Sequence, residues 1–502
     1  MTDITLCTLN ARYFHSSLGL RYLYANLGNL QSRARIREFI INQRPIEIAE
    51  QLLADNPTII GLGIYIWNIA QSRELIAILR RVRPDLIIIV GGPEVSYEQS
   101  TLPFYDEVDH IVSGQGDLAF ARLCKRLLDG EPIEEKIVPP EPFKLADLAF
   151  PYPYYTDEDI RNRFIYVEAS RGCPFKCEFC LSALDKTAWP FDLDQFLAHM
   201  DDLYQRGARH FKFIDRTFNL KVASSLRIME FFLARINDGM FLHFELIPDH
   251  LPDQLKTMIQ QFPPGTLQFE IGIQTFNPEV QERISRCQDD DKAEANIRFL
   301  REQTHAHLHT DLILGLPGED VASIARGFDK LIDLNPHEIQ VGILKRLRGA
   351  PIIRHIDEYQ LCFNPAPPYN ILSTRDIDFA TMQRLSRFAR YWDMIGNSGR
   401  FNRTRSLLLD KIPFERFLQL SDWLYATTGQ THKIALPRLF RLIYQGAREL
   451  FDLDEQQLYD AMYEDYTTCG MKGEPDFNTN LSKITPARQT GLANRQSRHK
   501  LN

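Results

Sequence analysis

The chain has 502 residues, 44% of them hydrophobic and 25% charged; this excludes a disordered or fibrous protein and gives room for about three domains. Its net charge of −8 excludes wholesale nonspecific binding to nucleic acid, though not a local patch. The most apolar stretches, 58–70 and 86–91, are too short to span a bilayer, and the N-terminus starts on a strand without a basic leader, so no membrane is expected and the expected compartment is the cytoplasm.

In residues 1–145, extended apolar runs at 4–9, 36–41, 59–66, 86–90 and 110–112 alternate with helical patterns at 18–30, 45–54, 71–82 and 118–128. That alternation predicts an α/β, doubly wound parallel sheet of Rossmann-like form, with its ligand crevice at the C-terminal strand ends. Those ends carry Asn10 to His15, Gly61-Leu-Gly63 to Trp67, Gly91-Gly92-Pro93-Glu94 and Ser113-Gly114-Gln115-Gly116-Asp117. Glycines there allow tight turns and close approach of a ligand to the backbone. No G-x-G-x-x-G follows the first strand, so a dinucleotide is not supported.

Proline-rich residues 139–154 read as a linker into a second domain, 146–365. Six strand-helix units follow, with strands expected at 164–170, 210–215, 241–247, 267–274, 308–315 and 338–344; they imply a partial (β/α)6 barrel whose function lies on the loops after the strands. The loop after the first of these strands holds Cys173, Cys177 and Cys180 at spacing C-x3-C-x2-C. Three such thiolates can hold a 4Fe-4S cubane by three irons, leaving the fourth open, or contribute to a zinc site that borrows a ligand from elsewhere. The other cysteines, at 7, 124, 287, 362 and 469, are isolated and offer no second cluster. His305, His307 and His309 alternate into the fifth strand and, entering at its N-terminal end, are expected to be surface or packing residues.

Residues 366–502 are expected to form an α-helical C-terminal domain, with helices near 379–392, 413–427 and 435–451. Tyr369, Tyr391, Trp392, Trp423 and Tyr425 are read as core. From Thr479 on there are no acidic residues, while Lys483, Arg488, Arg495, Arg498 and Lys500 are basic. This tail suits either an anion such as RNA phosphate or an unstructured terminus, and no RNA-binding fold signature accompanies it.

The cysteine spacing with aromatic Phe179 before the last cysteine, the Glu270-Ile-Gly272-Ile-Gln274-Thr-Phe strand end and the Asp311-Leu-Ile-Leu-Gly315-Leu-Pro-Gly-Glu319 stretch together resemble the radical S-adenosylmethionine (SAM) superfamily. The Val-Gly91-Gly92-Pro-Glu and Ser113-Gly114-Gln-Gly-Asp turns resemble the cobalamin-binding domain that precedes many radical SAM barrels. Gln115 stands where many relatives have glutamate, and the D-x-H-x-x-G motif with its cobalt-ligating histidine is missing; His15 and His110 are this region's only histidines.

The resemblance implies a 4Fe-4S cluster on the three cysteines, SAM cleaved reductively to a 5′-deoxyadenosyl radical, use of cobalamin, and an electron donor such as flavodoxin or ferredoxin. It also implies cofactor contacts from Phe179, Asp215, Gly272, Gln274, Asp311 and Gly315 around SAM, with Gly91, Gly92, Ser113 and Gly114 toward cobalamin. Asp215 is followed by Arg216 where many relatives carry a second aspartate. Arg171 and Lys176 flank the cluster and are candidates for tuning its potential. Three activities remain open: methylation of an unactivated carbon, a cobalamin-independent radical oxidation or rearrangement, and a non-catalytic iron-sulfur or cobalamin sensor. Methylthiolation is disfavoured, because such relatives carry three further cluster cysteines in the N-terminal domain, where this chain has only Cys7 and Cys124. No motif identifies the substrate.

Overall fold

The computed structural model describes residues 2–236, 239–471, 473, 475 and 477; the basic tail lies outside them. The N-terminal sheet is all parallel and contains β1 (Ile4–Asn10), β2 (Ala34–Ile40), β3 (Ile59–Gly63), β4 (Ile87–Gly91), β5 (His110–Val112) and β6 (Ile137–Val138), in the order β2-β1-β3-β4-β5-β6. Sequence reasoning missed β6, whose two residues carry no pattern and stand at the edge of the proline-rich linker. β1 is buried along its whole length, the signature of a strand covered on both faces. The strand order reverses between β1 and β3, and a crevice opens beyond their ends at that switch point.

The turn after β4 depends on Gly92. Its φ is +108°, and a Cβ there would stand 2.5 Å from the Ile64 carbonyl oxygen. That backbone region is open essentially to glycine alone. Gly92→Ala is therefore expected to cost about 3 kcal/mol or more, read as a fall in the urea midpoint of unfolding.

The second sheet is the open barrel, with six parallel strands in chain order: Ile165–Val167, His210–Phe213, Phe241–Leu246, Leu267–Gln274, His307–Leu314 and Glu338–Ile343. An open barrel has two edges, and flanking segments cover both. On the first strand, the Tyr155 hydroxyl donates to Tyr166 O at 2.7 Å and the Tyr152 hydroxyl to Glu168 O at 2.9 Å. On the last, Ile339 N donates to Asn397 Oδ1, while Ile339 O accepts from Asn397 Nδ2 and Trp392 Nε1, all at 2.8–2.9 Å. Unpaired edges invite aggregation, and here side chains stand in for the missing strands.

The C-terminal helices Phe379–Ile395, Asn402–Leu409, Pro413–Thr428, Leu436–Leu450 and Glu455–Thr468 share one continuous apolar core with the barrel. Tyr391 and Trp392 lie within it, whereas Tyr425 is exposed. No helix among the described residues is long and apolar enough to cross a membrane.

Two polar clasps seat the N-terminal sheet on the barrel. In one, the buried Arg21 guanidinium meets Glu38 at 2.9 Å and Asp159 at 2.7 Å, and Arg163 reaches Glu38 at 3.0 Å. In the other, Glu94 accepts from the Tyr369 hydroxyl at 2.7 Å and lies 3.3 Å from Arg348, beside an Arg346–Glu98 pair at 2.8 Å. These clasps bring the C-terminal strand ends of both sheets face to face.

Candidate active site

The cysteine loop leaves the C-terminal end of the first barrel strand through Gly172, whose φ is +94° and whose absent Cβ would collide with Thr187 O at 2.3 Å. This turn folds the chain back so that Cys173 N donates to Asp185 O at 2.9 Å. Cys173, Cys177, Cys180 and Phe179 all line one pocket of about 230 Å³. Burial raises the Cys173 and Cys177 thiols above their ordinary pKa; at Cys177, Arg286 with Nη1 3.8 Å from Sγ works against the rise. Among the described residues no three His, Cys, Asp or Glu side chains gather at a single-ion site. A cubane takes one thiolate per iron, whereas a lone zinc ion needs its ligands at about 2.0–2.3 Å from one point, so the donor set fits the cluster better.

The facing wall comes from the barrel strand ends. Gly272, Gln274 and Asp311 line this pocket together with Glu245, Glu270, Arg216 and Arg286. The fourth strand bulges between Gly272 and Gln274, and Gln274 takes a left-handed φ of +70°. Such backbone strain concentrates at functional sites. Arg286 escaped sequence reasoning because it sits in an aperiodic loop; its guanidinium also donates to the Gly272 carbonyl.

Below the pocket the barrel interior is charged. Glu270 is held down to about 2: burial opposes this, but His243 at 3.1 Å and Lys212 at 3.9 Å prevail. His309 lies 3.2 Å from Asp311 Oδ1, yet neither atom has an aligned hydrogen bond. Burial lowers the His309 pKa and the carboxylates of Asp311, Glu338 and Glu270 reverse that, for a net rise. His307 and His309 therefore belong to the charged lumen rather than to an outer surface; alternation turns both inward. Burial also raises Asp311, and the neighbouring His309 works against that rise; the residue lines the pocket, where a carboxylate suits a hydroxyl or ammonium group of a ligand.

Three residues expected at the cofactors lie elsewhere. Asp215 is fully buried with its carboxylate turned to Ala169 N and the Ser170 hydroxyl, at 3.0 Å and 2.6 Å, and burial pushes it up to about 7. It braces the cysteine loop, and its neighbour Arg216 takes the place in the pocket. Gly315 has the Ile371 and Met382 side chains where its Cβ would be, at 2.6 Å and 3.1 Å, so it makes room for the C-terminal region. Ser113 donates to Ser96 O at 3.0 Å. Lys176 is exposed.

A second cavity of about 790 Å³ occupies the crevice between the two sheets. Gly91, Gly92 and Gly114 line its N-terminal side along with Gly61, Gly63 and Gly116, and Tyr65 and Trp67 stack there with centroids 4.4 Å apart. His15 also lines it, with Nδ1 2.6 Å from the Tyr166 hydroxyl. His110 starts β5, at the far end of that strand, and bonds to Glu135 O. Gln115 reaches Asp185 at 3.1 Å across the interface.

Arg171 stands in the cavity wall between Glu168 at 2.6 Å and Asp117 at 3.0 Å. Burial opposes its charge and the two carboxylates overcome this, so its pKa rises. Arg171→Met would strand both carboxylates; about 3–5 kcal/mol of stability should be lost, measurable by chemical denaturation.

Three family matches lie in order along the chain. Residues 4–124 match the B12 binding domain, 167–331 the Radical SAM superfamily, and 357–498 a protein family of unknown function, DUF4080. The chain belongs to the radical SAM superfamily and carries a B12-binding domain ahead of its barrel.

Curated relatives include 2-(S-pantetheinyl)-carbapenam-3-carboxylate methyltransferase of Streptantibioticus cattleyicolor, 26% identical over 348 residues (59% of this chain, 48% of the relative). The cobalamin-dependent radical SAM methyltransferase TokK of Streptomyces tokunonensis is 26% identical over 355 residues (62% and 51%). A tRNA-2-methylthio-N(6)-dimethylallyladenosine synthase of Acinetobacter baumannii is 23% identical over 293 residues (54% and 59%). The chain thus spans about half the length of these relatives. Among solved structures, the radical SAM methyltransferase TsrM of Kitasatospora setae, with cobalamin and a 4Fe-4S cluster bound, superposes with a TM-score of 0.61 at 14% identity, over 94% of this chain and 100% of TsrM; at that identity the likeness is one of fold.

The residues fit the groups these domains imply: three thiols on one pocket for the cluster, the polar side chains of Gln274, Asp311 and Arg286 on the same pocket for SAM, and a glycine-floored cavity for cobalamin. No second cluster is prepared in the N-terminal domain. Cys7 and Cys124 are buried in the separate cores on either side of the sheet, where desolvation raises both thiols far above their ordinary pKa.

Proposed function

We propose that this chain is a cobalamin-dependent radical SAM enzyme of the reducing cytoplasm that methylates an unactivated carbon, with electrons from a small donor such as flavodoxin or ferredoxin. One observation carries the reading: among the described residues, Arg216 alone lines both the 790 Å³ cavity between the sheets and the 230 Å³ cysteine pocket. The two cofactor spaces therefore share a wall, as methyl transfer onto a carbon activated nearby requires.

When bound, the cluster and SAM supply a carbon radical and cobalamin supplies a methyl group. Cys173, Cys177 and Cys180 would hold the cluster; Gln274, Asp311 and Arg286 would orient SAM; Gly63, Gly91, Gly92 and Gly114 would let the corrin lie against the strand ends. Arg216 donates to both carboxylate oxygens of Glu245, at 2.9 Å and 3.1 Å, so a neutral pair stands at the seam. The two clasps keep the sheets closed over it and exclude water from the reacting groups.

The test is anaerobic incubation of reconstituted enzyme with methyl-deuterated SAM and a reductant. Deuterated methylcobalamin together with S-adenosylhomocysteine and 5′-deoxyadenosine is the expected outcome. Formation of 5′-deoxyadenosine with unlabelled cobalamin would contradict methylation and favour a radical oxidation or rearrangement.

A further inference from the structure

One residue inside the cysteine motif has no assigned part. Glu178, between Cys177 and Cys180, is only 2% exposed along its side chain, unusual for a carboxylate in a loop. Its carboxylate accepts from the Ser285 hydroxyl at 2.7 Å and from Arg354, and lies 2.8 Å from His355 Nε2. Its backbone is held as well: Glu178 N donates to Ile284 O at 3.0 Å, and Glu178 O accepts from Ile352 N at 2.9 Å.

These contacts join three segments distant in sequence. One is the cysteine loop itself. The second is the loop after the fourth barrel strand, which presents Arg286 to Cys177. The third is the turn Pro351–His355, directly ahead of the C-terminal region. His355 passes the contact on to Tyr359, which Arg283 and Arg375 flank at 4.7 Å each.

We propose that Glu178 is a positioning residue that locks the cysteine loop to the Arg286 loop and to the 351–355 turn, fixing where the cluster stands relative to the SAM pocket. The inference rests on the cluster reading of the three cysteines. It makes the Pro351–His355 turn part of the cluster's support. Partners one bond removed from a ligand orient it, and their loss lowers metal affinity about 10- to 100-fold. The carboxylate also places negative charge beside two cluster ligands, and net charge near the sulfurs sets the reduction potential.

The experiment compares wild type, Glu178→Gln and Arg354→Met after anaerobic reconstitution, reading iron loss to a chelator, the EPR spectrum of the reduced cluster with and without SAM, the midpoint potential and the thermal melt. Glu178→Gln should fold, lose iron about 10- to 100-fold faster, show a more positive potential and alter the EPR change caused by SAM. Arg354→Met leaves the cysteine motif intact and should also speed iron loss, which keeps the test open should Glu178→Gln not fold. A Glu178→Gln protein with wild-type iron retention, potential and EPR would overturn the proposal, as would an Arg354→Met protein with wild-type iron retention. If wild type itself takes up no iron-sulfur cluster, the cluster reading fails instead.

Discussion

Replacing Cys173, Cys177 and Cys180 together by alanine is expected to remove all cluster iron and all reductive SAM cleavage, the largest effect the structure implies. The three thiols line the 230 Å³ pocket from one short loop; Cys287 also lines it, but it is exposed and lies outside that loop. With one thiolate per iron, losing all three leaves nothing to anchor a cubane. The substitutions shrink partly buried side chains in a loop, so the barrel core stays intact. Iron and sulfide analysis with 5′-deoxyadenosine quantified by mass spectrometry checks this; iron-dependent cleavage surviving in the triple variant would place the cluster elsewhere.

The second large effect concerns Gly91, at the end of β4. Its backbone is ordinary, and a Cβ there would meet only Val112 atoms at 3.6 Å and 3.9 Å, normal packing distances. Gly91→Leu should therefore fold without the backbone strain of Gly92→Ala, while placing an isobutyl group in the crevice between the sheets. Overpacking costs about 1–3 kcal/mol where neighbours can yield; against a rigid macrocycle the upper figure applies, or about 100-fold in affinity. Corrinoid titration followed by absorbance would show the loss, and the cluster in its separate pocket should load normally. Unchanged corrinoid affinity would mean that the cavity does not hold the macrocycle.

The parts of this design that repeat in the chain were legible in it. Alternating strand and helix patterns announced both parallel sheets, and the C-x3-C-x2-C spacing announced the cysteine loop, because those signals are local. What was not legible depends on which way a side chain turns. Asp215 and Arg216 are neighbours, and sequence alone does not say that the carboxylate braces Ala169 and Ser170 while the guanidinium enters the pocket. The orientation follows from the strand's alternation at a point where the strand has already become a loop.

His309 is a similar case. Its entry at the base of the fifth strand suggested a surface or packing residue; the packing half holds, and because the inward face of the open barrel is charged here, alternation places it beside Asp311 and Glu338. Glu178 and Arg286 are visible only when loops separated by more than a hundred residues meet. The side chains that cover the barrel edges show the same limit: Trp392 reads as core and Tyr152 as part of a linker, and their function as edge partners appears only with the register of the first and last strands.

The most direct test of the account is the iron and corrinoid content of the full chain, reconstituted without oxygen and freed of unbound cofactor. The account predicts about four irons and one corrinoid per chain, with the corrinoid lost in Gly91→Leu and the iron lost in the triple cysteine variant, each independently of the other. Iron without corrinoid in the wild-type chain would contradict it, reducing the N-terminal domain to a scaffold and removing the methyl donor from the chemistry.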